Sequence, residues 1–186
     1  TQAPTASPVP VTEEVTLTIT AAGDCTLGGD TANGGYSRFQ SAVRRNGYDY
    51  FLKNFRPLFE SDDLTIVNLE GPLTTSGEKR ANRTFNFKGD PANVAILSGS
   101  SVEICNVANN HALDFGKSGL TQTAEVLTDA GIGWSGYGKT HYALVKGVRV
   151  ASLGFTEWDF ETDVITAAVA EARRNSDLVI VSVHWG

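Results

Sequence analysis

Four short apolar runs alternate along the chain with longer segments of mixed character. They cover residues 17–22, 64–67, 102–107 and 178–183. Short continuous apolar runs bounded by polar or glycine residues are typical of strands that are buried on both faces. Since helical segments separate the runs, strand–helix–strand connections favour a parallel sheet with right-handed crossovers. The pattern therefore predicts a fold of the α/β class.

The segments between these runs predict helices and one hairpin. Helices are predicted over residues 36–46, 48–59, 91–98 and 162–175, and apolar residues recur at helical spacing over 120–130. Asp90 before Pro91 is typical of a helix start, and Gly131 suits a helix end. Residues 142–145 and 148–153 flank Lys146-Gly147, which predicts a hairpin turn.

Each of the four predicted strands runs into polar residues that can hold a ligand. These are Asp24, Glu70, the group Asn109, Asn110, His111 and Asp114, and finally His184. In a parallel sheet such ends share one edge, where α/β proteins commonly bind ligands, so we expect Asp24 and Glu70 to face each other. Two carboxylates ~4 Å apart repel by ~4 kcal/mol at an effective dielectric constant near 20. A bound cation or a raised pKa relieves that repulsion, and the repeated pattern predicts a metal site.

Taken one at a time, these polar groups have ordinary structural explanations. Asp24 after Gly23 can cap a turn, and Glu70 can be a solvated turn residue. Asn109, Asn110 and Asp114 can cap the helix that follows them. None of these explanations accounts for the polar residues at the ends of all four predicted strands. This shared feature favours the metal site.

The types of donor limit the metal and suggest a proton donor. Carboxylate and amide oxygens combined with imidazole suit Mn²⁺, Fe or Zn²⁺ better than Ca²⁺. Two cations about 3.5–4 Å apart can hold a phosphoryl group and activate a water. His111, with Asp114 three residues further on, is a candidate proton donor oriented by a carboxylate.

The same residues resemble the motifs of a known family. Gly23-Asp24, residues 68–73, Phe87-Lys88, residues 109–116 and residues 183–186 are similar to the successive motifs of bacterial capsule synthesis proteins of the CapA type. Those proteins are associated with poly-γ-glutamate production and export. The family is similar in turn to the calcineurin-like metallophosphoesterases. The resemblance covers residues 16–186 and implies a four-layer α/β/β/α sandwich with a dinuclear metal site.

The resemblance also implies roles by position. Asp24, Glu70, Asn110 and His184 match ligands of a divalent transition metal (Mn, Fe or Zn), which would be dinuclear in a full domain. His111 matches the histidine that contacts the substrate phosphoryl group, so His111 and Asp114 are the predicted catalytic residues. The predicted substrate-binding residues, from the same motifs, are Lys88 and Asn109.

Two features depart from the phosphoesterase pattern. Asp24-Cys25-Thr26 supplies no histidine where those enzymes have Asp-x-His. The chain also reaches residues 184–186 before the later histidine motif and closing strands that such a fold implies. We therefore expect residues 16–186 to be the N-terminal portion of the domain, incomplete at its C-terminus. Such a piece should self-associate or lean on a separate C-terminal segment, and it should bind metal weakly.

Composition narrows the function classes. A net charge of −6 over 186 residues argues against a nucleic-acid-binding surface. Residues 1–15 hold three prolines and three threonines, which predicts a linker, and no apolar run is long enough for a membrane span. The resemblance implies that this linker follows a removed N-terminal anchor. The domain would then lie outside the cytoplasm, at the cell surface or anchored to the membrane.

Two small groups of residues leave alternatives open. Lys79, Arg80, Arg83 and Lys88 can meet an anionic substrate or form an ordinary solvated loop. Cys25 and Cys105 can pair in an oxidising compartment or remain free thiols, with Cys105 expected in the core.

Two functions remain. The first is an extracytoplasmic capsule biosynthesis or export protein whose metal site hydrolyses a phosphate ester, and the intact residues 109–114 favour it. The second is a non-catalytic binding or assembly component of the capsule machinery, favoured by the missing histidine near Asp24. Either would have capsule synthesis membrane proteins as partners, with an anionic polymer or a phosphate ester as ligand.

Overall fold

Two β-sheets form the framework of the chain. The structure, a computed structural model, describes residues 14–157 and 161–185. Apart from Glu14 and Val15, the predicted linker over residues 1–15 lies outside the described residues, as does Gly186. The strands are β1 Ile19–Cys25, β2 Gly29–Asp30, β3 Leu64–Leu69, β4 Phe87–Lys88, β5 Ile104–Asn106, β6 Gly133–Ser135, β7 His141–Val145, β8 Val148–Thr156 and β9 Leu178–His184. The helices are α1 Gly35–Asn46, α2 Arg56–Phe59, α3 Val94–Ser98, α4 Gly116–Asp129 and α5 Thr162–Asn175.

The first sheet is parallel throughout, in the order β1-β3-β5-β6. The apolar runs predicted β1, β3 and β5, and parallel pairing of these strands is confirmed. β6 was not predicted, because a three-residue strand of Gly133, Trp134 and Ser135 is too short to show a period. β2 and β4 form a separate antiparallel pair of two residues each.

The second sheet has the order β7-β8-β9. β7 and β8 form the predicted hairpin, and both turn residues have positive φ, 48° at Lys146 and 84° at Gly147, as a type I′ turn requires. α5 then crosses over to β9, which pairs parallel with β8. Placing all four predicted strands along one sheet edge was therefore wrong, because β9 belongs to the second sheet. Its hydrogen-bonding partner is the long strand β8, which pairs with β7 in the hairpin and with no described strand of the first sheet.

Apolar side chains join the two sheets and cover their outer faces. Leu64, Ile66 and Ile104 of the first sheet pack against Val150 of the second, with Ile180 of β9 beside them. A larger cluster lies on the other face of the first sheet and includes Leu127 of α4. A third cluster joins Ala172 of α5 to β8. The α/β class is confirmed, and the complete four-layer sandwich of the metallophosphoesterases stays a prediction.

Most helices follow the sequence pattern, and one does not. α5 spans residues 162–175 as predicted, and Asp90 accepts a hydrogen bond from the Ala92 amide at 2.9 Å at the start of the segment that leads to α3. The helical segment predicted over residues 48–59, with Pro57 as a punctuating residue, is confirmed only in part. A short 3₁₀ turn occupies Tyr48–Tyr50, and α2 begins only at Arg56. Pro57 explains the break, because proline lacks an amide proton and is tolerated in the first turn of a helix but not in its interior.

No helix within the part of the chain that the structure describes is long and apolar enough to cross a membrane. Some apolar side chains of the second sheet are exposed, among them Leu144 of β7 and Val181 of β9.

Candidate functional site

The carboxyl ends of β1, β3 and β9 meet at one cleft between the two sheets. The cleft has a volume of ≈ 310 Å³, with Asp24, Asn68, Asn106 and His184 among its lining residues. A register shift between Ala22 and Asp24 in β1 sets Asp24 opposite Asn68 of β3. β9 reaches the same place from the second sheet. The predicted convergence of strand ends is therefore achieved by two sheets that face each other.

Asn68 connects the polar groups of this cleft. Its side-chain oxygen accepts hydrogen bonds from the amide groups of Asn106 at 3.0 Å and Asn109 at 3.3 Å. Because two donors occupy the oxygen, the orientation of the Asn68 amide is fixed, and its nitrogen faces the remaining neighbours. That nitrogen donates to Asp24 Oδ1 at 2.7 Å and lies 3.1 Å from His184 Nδ1. Asn68 thus links β1, β5 and β9 from the end of β3.

His184 is held between amide groups and one carboxylate. Nδ1 accepts from Asn68, so the ring proton resides on Nε2, which donates to Asn110 Oδ1 at 3.0 Å. Asp24 Oδ1 lies 3.4 Å from Nδ1. The imidazole is largely buried, whereas the Asp24 side chain is 54% exposed. We name these four residues, Asp24, Asn68, Asn110 and His184, the amide cluster.

The donor types of the amide cluster fit a divalent transition metal. A carboxylate, an imidazole and an amide oxygen are present, and the 3.4 Å between Asp24 Oδ1 and His184 Nδ1 suits two donors on one cation. Within the described ranges 14–157 and 161–185, no three His, Cys, Asp or Glu residues lie together as a metal-binding group. Amide oxygens and water would have to complete the coordination. Asp24 and Asn110 approach opposite nitrogens of the His184 ring, so one of them must move for both to bind one cation.

His111 lies in a second group of residues, with carboxylates in place of amides. Its Nδ1 donates to Asp114 Oδ2 at 2.6 Å, and its Nε2 is 3.9 Å from Glu70 Oε1. The ring stacks on Phe87, with centroids 4.0 Å apart. Asp114 is fully buried and also accepts from the Phe87 amide at 2.7 Å. We name His111, Asp114 and Glu70 the carboxylate cluster.

The two clusters divide the predicted metal ligands. The second carboxylate oxygen of Glu70, Oε2, accepts from the Thr26 hydroxyl at 2.9 Å. The backbone amide of Glu70 donates to the backbone oxygen of Cys25 at 3.2 Å. The structure therefore brings Glu70 together with His111 and Thr26, and Asp24 together with Asn68 and His184. The metal-binding roles of all four ligands stay predictions.

The two predicted substrate-binding residues have different surroundings. The Lys88 ammonium lies 4.9 Å from the Phe115 ring centroid and 5.5 Å from that of Tyr36. The Asn109 side chain is buried and its polar atoms are engaged within the protein. It donates to Leu69 O at 2.8 Å and accepts from the His111 amide at 3.1 Å. Asn109 thus shapes the loop that carries His111, and substrate binding by either residue stays a prediction.

Both cysteines are free thiols. Cys105 is buried in the core, as expected. Burial raises the pKa of Cys25 to about 11, so its sulfur is protonated near neutral pH. Metal ligation needs the thiolate, and a neutral thiol beside Asp24 is a poor replacement for the histidine of an Asp-x-His motif.

Asn68 and Asn106 were missed as site residues by the sequence analysis. Both lie within or at the end of strands that read as apolar, and both are buried. A buried amide inside a buried strand needs hydrogen-bond partners, which is a signal that could have been used.

Comparison with known proteins gives a consistent result. A family model described as bacterial capsule synthesis protein PGA_cap matches residues 18–186. The capsule biosynthesis protein CapA of Bacillus anthracis is 27% identical over 97% of this chain and 49% of its own length. The PGA biosynthesis protein CapA of Bacillus subtilis strain 168 is 27% identical over 85% of this chain and 47% of its own. A probable polyglutamine synthesis accessory protein of Mycobacterium tuberculosis is 31% identical over 67% of this chain and 41% of its own. The chain thus spans about half the length of the curated relatives that it matches.

Proposed function

Because this chain belongs to the family of bacterial capsule synthesis proteins, we propose that it serves poly-γ-glutamate capsule synthesis or export outside the cytoplasm. In this proposal the site at its strand ends binds a divalent metal and hydrolyses a phosphate ester. The proposed setting is the cell surface, with an N-terminal anchor and capsule synthesis membrane proteins as partners. The proposed complete fold is the four-layer metallophosphoesterase sandwich.

One observation supports the proposal above the others. His111 is held by the buried carboxylate of Asp114, and His184 has two side-chain oxygens close to its ring, Asn110 Oδ1 at 3.0 Å and Asp24 Oδ1 at 3.4 Å. The first arrangement suits proton transfer, and the second suits metal binding. The two arrangements are neighbours in sequence, because Asn110, which contacts His184, directly precedes His111.

The residues of the amide cluster would hold the metal through Asp24, His184 and the oxygen of Asn110, with Glu70 as the predicted ligand nearest to His111. When bound, Mn²⁺, Fe or Zn²⁺ supplies positive charge that polarises a phosphoryl group. Asn68 positions Asp24 and His184 for this purpose, because one amide nitrogen contacts both.

His111 would act on the proton of the leaving group. Asp114 accepts the Nδ1 proton and so fixes the ring orientation, which leaves Nε2 as the nitrogen that exchanges a proton with substrate. The stacked Phe87 ring restricts rotation of the imidazole, and the Phe87 backbone amide holds the Asp114 carboxylate in place. Both contacts favour a ring that is placed before substrate arrives.

A variant of His111 tests hydrolysis. In His111→Asn the amide can still donate to Asp114 in place of Nδ1, while the titrating Nε2 is lost. Two forms of the protein are loaded with Mn²⁺, one of residues 1–186 and one extended to the length of the curated relatives. In both, turnover of a panel of phosphate esters by His111→Asn should be about 100- to 10,000-fold below that of the wild type. His141→Asn, which changes a histidine outside both clusters, should retain the wild-type rate. Unchanged turnover in His111→Asn would show that His111 has no part in the reaction.

The non-catalytic alternative has its own supporting observation. The described residues hold no group of three His, Cys, Asp or Glu suited to a metal, and Thr26 stands at the position of the histidine in the Asp-x-His motif of the phosphoesterases. On this alternative the site serves binding or assembly within the capsule machinery. Capsule production in cells that carry His111→Asn distinguishes the two functions, since an assembly role tolerates loss of the titrating nitrogen.

A further inference from the structure

A second pocket adjoins the amide cluster on the side of Asn110. Its volume is ≈ 230 Å³, and its lining includes Arg80, Arg83, Asn110, Tyr137 and Thr156. Pockets that enclose a whole drug-sized ligand measure roughly 300–1,000 Å³, so this one suits a single chemical group of a larger molecule. We call it the arginine pocket.

Two side chains of this pocket, Thr156 and Asn110, have hydrogen-bond donors without a partner among the described residues. Thr156, at the end of β8, is 2% exposed, and its hydroxyl has no partner among the described residues. A buried polar atom without a partner is unusual and indicates a missing ligand or water. The Asn110 oxygen is engaged with His184 Nε2, and this is the one side-chain hydrogen bond of Asn110 within residues 14–157 and 161–185. The Asn110 amide nitrogen therefore remains available as a donor.

Two guanidinium groups add positive charge to these donors. The backbone amide of Arg80 donates to Asp114 O at 2.8 Å, which ties this loop to the carboxylate cluster, while the side chains of Arg80 and Arg83 are exposed. Neither Arg80 nor Arg83 forms an ion pair with a described residue, whereas Arg56, Arg149 and Arg174 each pair with a carboxylate. The lining contains no described carboxylate.

The composition of the pocket selects its ligand. Guanidinium groups bind carboxylate and phosphate through parallel hydrogen bonds, and neutral donors such as a hydroxyl and an amide complete the contacts to an oxyanion. The chain carries a net charge of −6, so a general attraction to polyanions is excluded and any binding must be local. A neutral or cationic group would leave both arginines without a partner.

We propose that the arginine pocket is an oxyanion subsite that holds one carboxylate of a γ-linked glutamate polymer, or one phosphate group, next to Asn110. The proposal depends on the proposed function only for the choice of these two anions. The pocket shares Asn110 with the amide cluster, so an anionic polymer held there would lie against the candidate metal site. The loop after Glu70 is then a binding element through Arg80 and Arg83, whereas the alternative of a solvated loop predicts that variants of these two exposed arginines bind like the wild type.

Calorimetric titration of the protein tests the subsite. The probes are a γ-linked glutamate oligomer and inorganic phosphate, at low ionic strength, on protein that has been treated with EDTA and then dialysed free of it. Because EDTA removes divalent metal, failure of the metal site does not disturb this measurement. Arg80→Gln with Arg83→Gln should weaken binding at least about tenfold, as expected for the loss of charge-assisted hydrogen bonds. Thr156→Val, which preserves shape and removes the hydroxyl, should weaken it about three- to tenfold.

Arg45→Gln is the matched control, because Arg45 is an exposed arginine of α1 outside the pocket. It should bind like the wild type, and melting temperatures of all variants verify folding. Binding of the oligomer but not of phosphate identifies a carboxylate subsite, and the reverse identifies a phosphate subsite. The proposal is overturned if neither probe binds, if the double variant binds like the wild type, or if Arg45→Gln weakens binding as much as the double variant does.

Discussion

The two histidines of the site differ in what surrounds them. His184 sits among amide groups, with Asn68 at one ring nitrogen and Asn110 at the other, and the nearby Asp24 carboxylate is half exposed. His111 sits against the fully buried carboxylate of Asp114, and an aromatic ring covers its face. The protons reside on opposite nitrogens, Nε2 in His184 and Nδ1 in His111.

This difference suits the two histidines to the two proposed roles, metal binding by His184 and proton transfer by His111. Both ring nitrogens of His184 have amide partners, and Asp24 Oδ1 lies 3.4 Å from its Nδ1, which suits the proposed role of this histidine as a metal ligand. The Nδ1 nitrogen of His111 is held by a buried carboxylate, which leaves Nε2 for the proposed proton transfer. The predictions below disturb one cluster at a time.

The largest expected effect follows from replacing Asn68. Asn68→Leu removes the four hydrogen bonds that join β1, β5 and β9 at the cleft, and should lower the free energy of unfolding by about 2–4 kcal/mol. Chemical denaturation measures this change. Asn46→Leu, on the exposed surface of α1, should stay within about 0.5 kcal/mol of wild type. Equal stability of Asn68→Leu and wild type would mean that the amide cluster does not hold the strands together.

A smaller effect is expected from Gly154 of β8. An added Cβ would collide with the Asn106 side-chain oxygen, so Gly154→Ala should cost about 1–3 kcal/mol through overpacking between the sheets. At Gly23 an added Cβ meets no heavy atom within 4 Å, and Gly23→Ala serves as the control in the same denaturation experiment.

Combining Gly154→Ala with Asn106→Ala sharpens this result. Removing the Asn106 side chain relieves the collision, so the two substitutions together should cost less than the sum of their separate effects. If the cost of the double variant equals the sum of the two separate costs, the Asn106 side chain is not what an added Cβ at Gly154 collides with.

The smallest effect concerns Cys25, which lies beside the amide cluster without belonging to it. Because its pKa is raised to about 11, alkylation by iodoacetamide at pH 8 should be about 100-fold slower than for an ordinary thiol of pKa ~8.5. The rate should rise roughly tenfold per pH unit toward pH 11. Mass spectrometry of Cys105→Ala, which leaves Cys25 as the single thiol, measures it. Fast alkylation at pH 8 would indicate a thiolate and restore Cys25 as a candidate ligand.

Much of the fold could be predicted because its buried strands have continuous apolar runs. β3 and the β7–β8 hairpin were visible in this way, as was the Ala-rich helix α5. The membership of β9 in a second sheet could not be predicted from its own residues, because an apolar strand fits either sheet. Its place depends on pairing with β8, a contact between residues about 30 positions apart. β6 was too short to leave a signal.

The site was predicted in its parts but not in its arrangement. The polar residues after each strand were visible, and the structure does bring them to one region in two clusters. The division between amides and carboxylates depends on Asn68, whose side chain lies within a strand and connects residues from three others. Such a hub is defined by neighbours in space, and no spacing along the chain reveals them.

The central claim is that Asp24, Glu70, Asn110 and His184 bind a divalent metal, and metal content measures it most directly. Wild-type protein and the Asp24→Ala, Glu70→Ala double variant are dialysed to equilibrium against Mn²⁺ or Zn²⁺, and bound metal is measured as the excess over the dialysate. Elemental analysis should find metal in the wild type and a loss of most of it in the variant, while circular dichroism should show that both remain folded. Equal metal content in the two proteins would contradict the account.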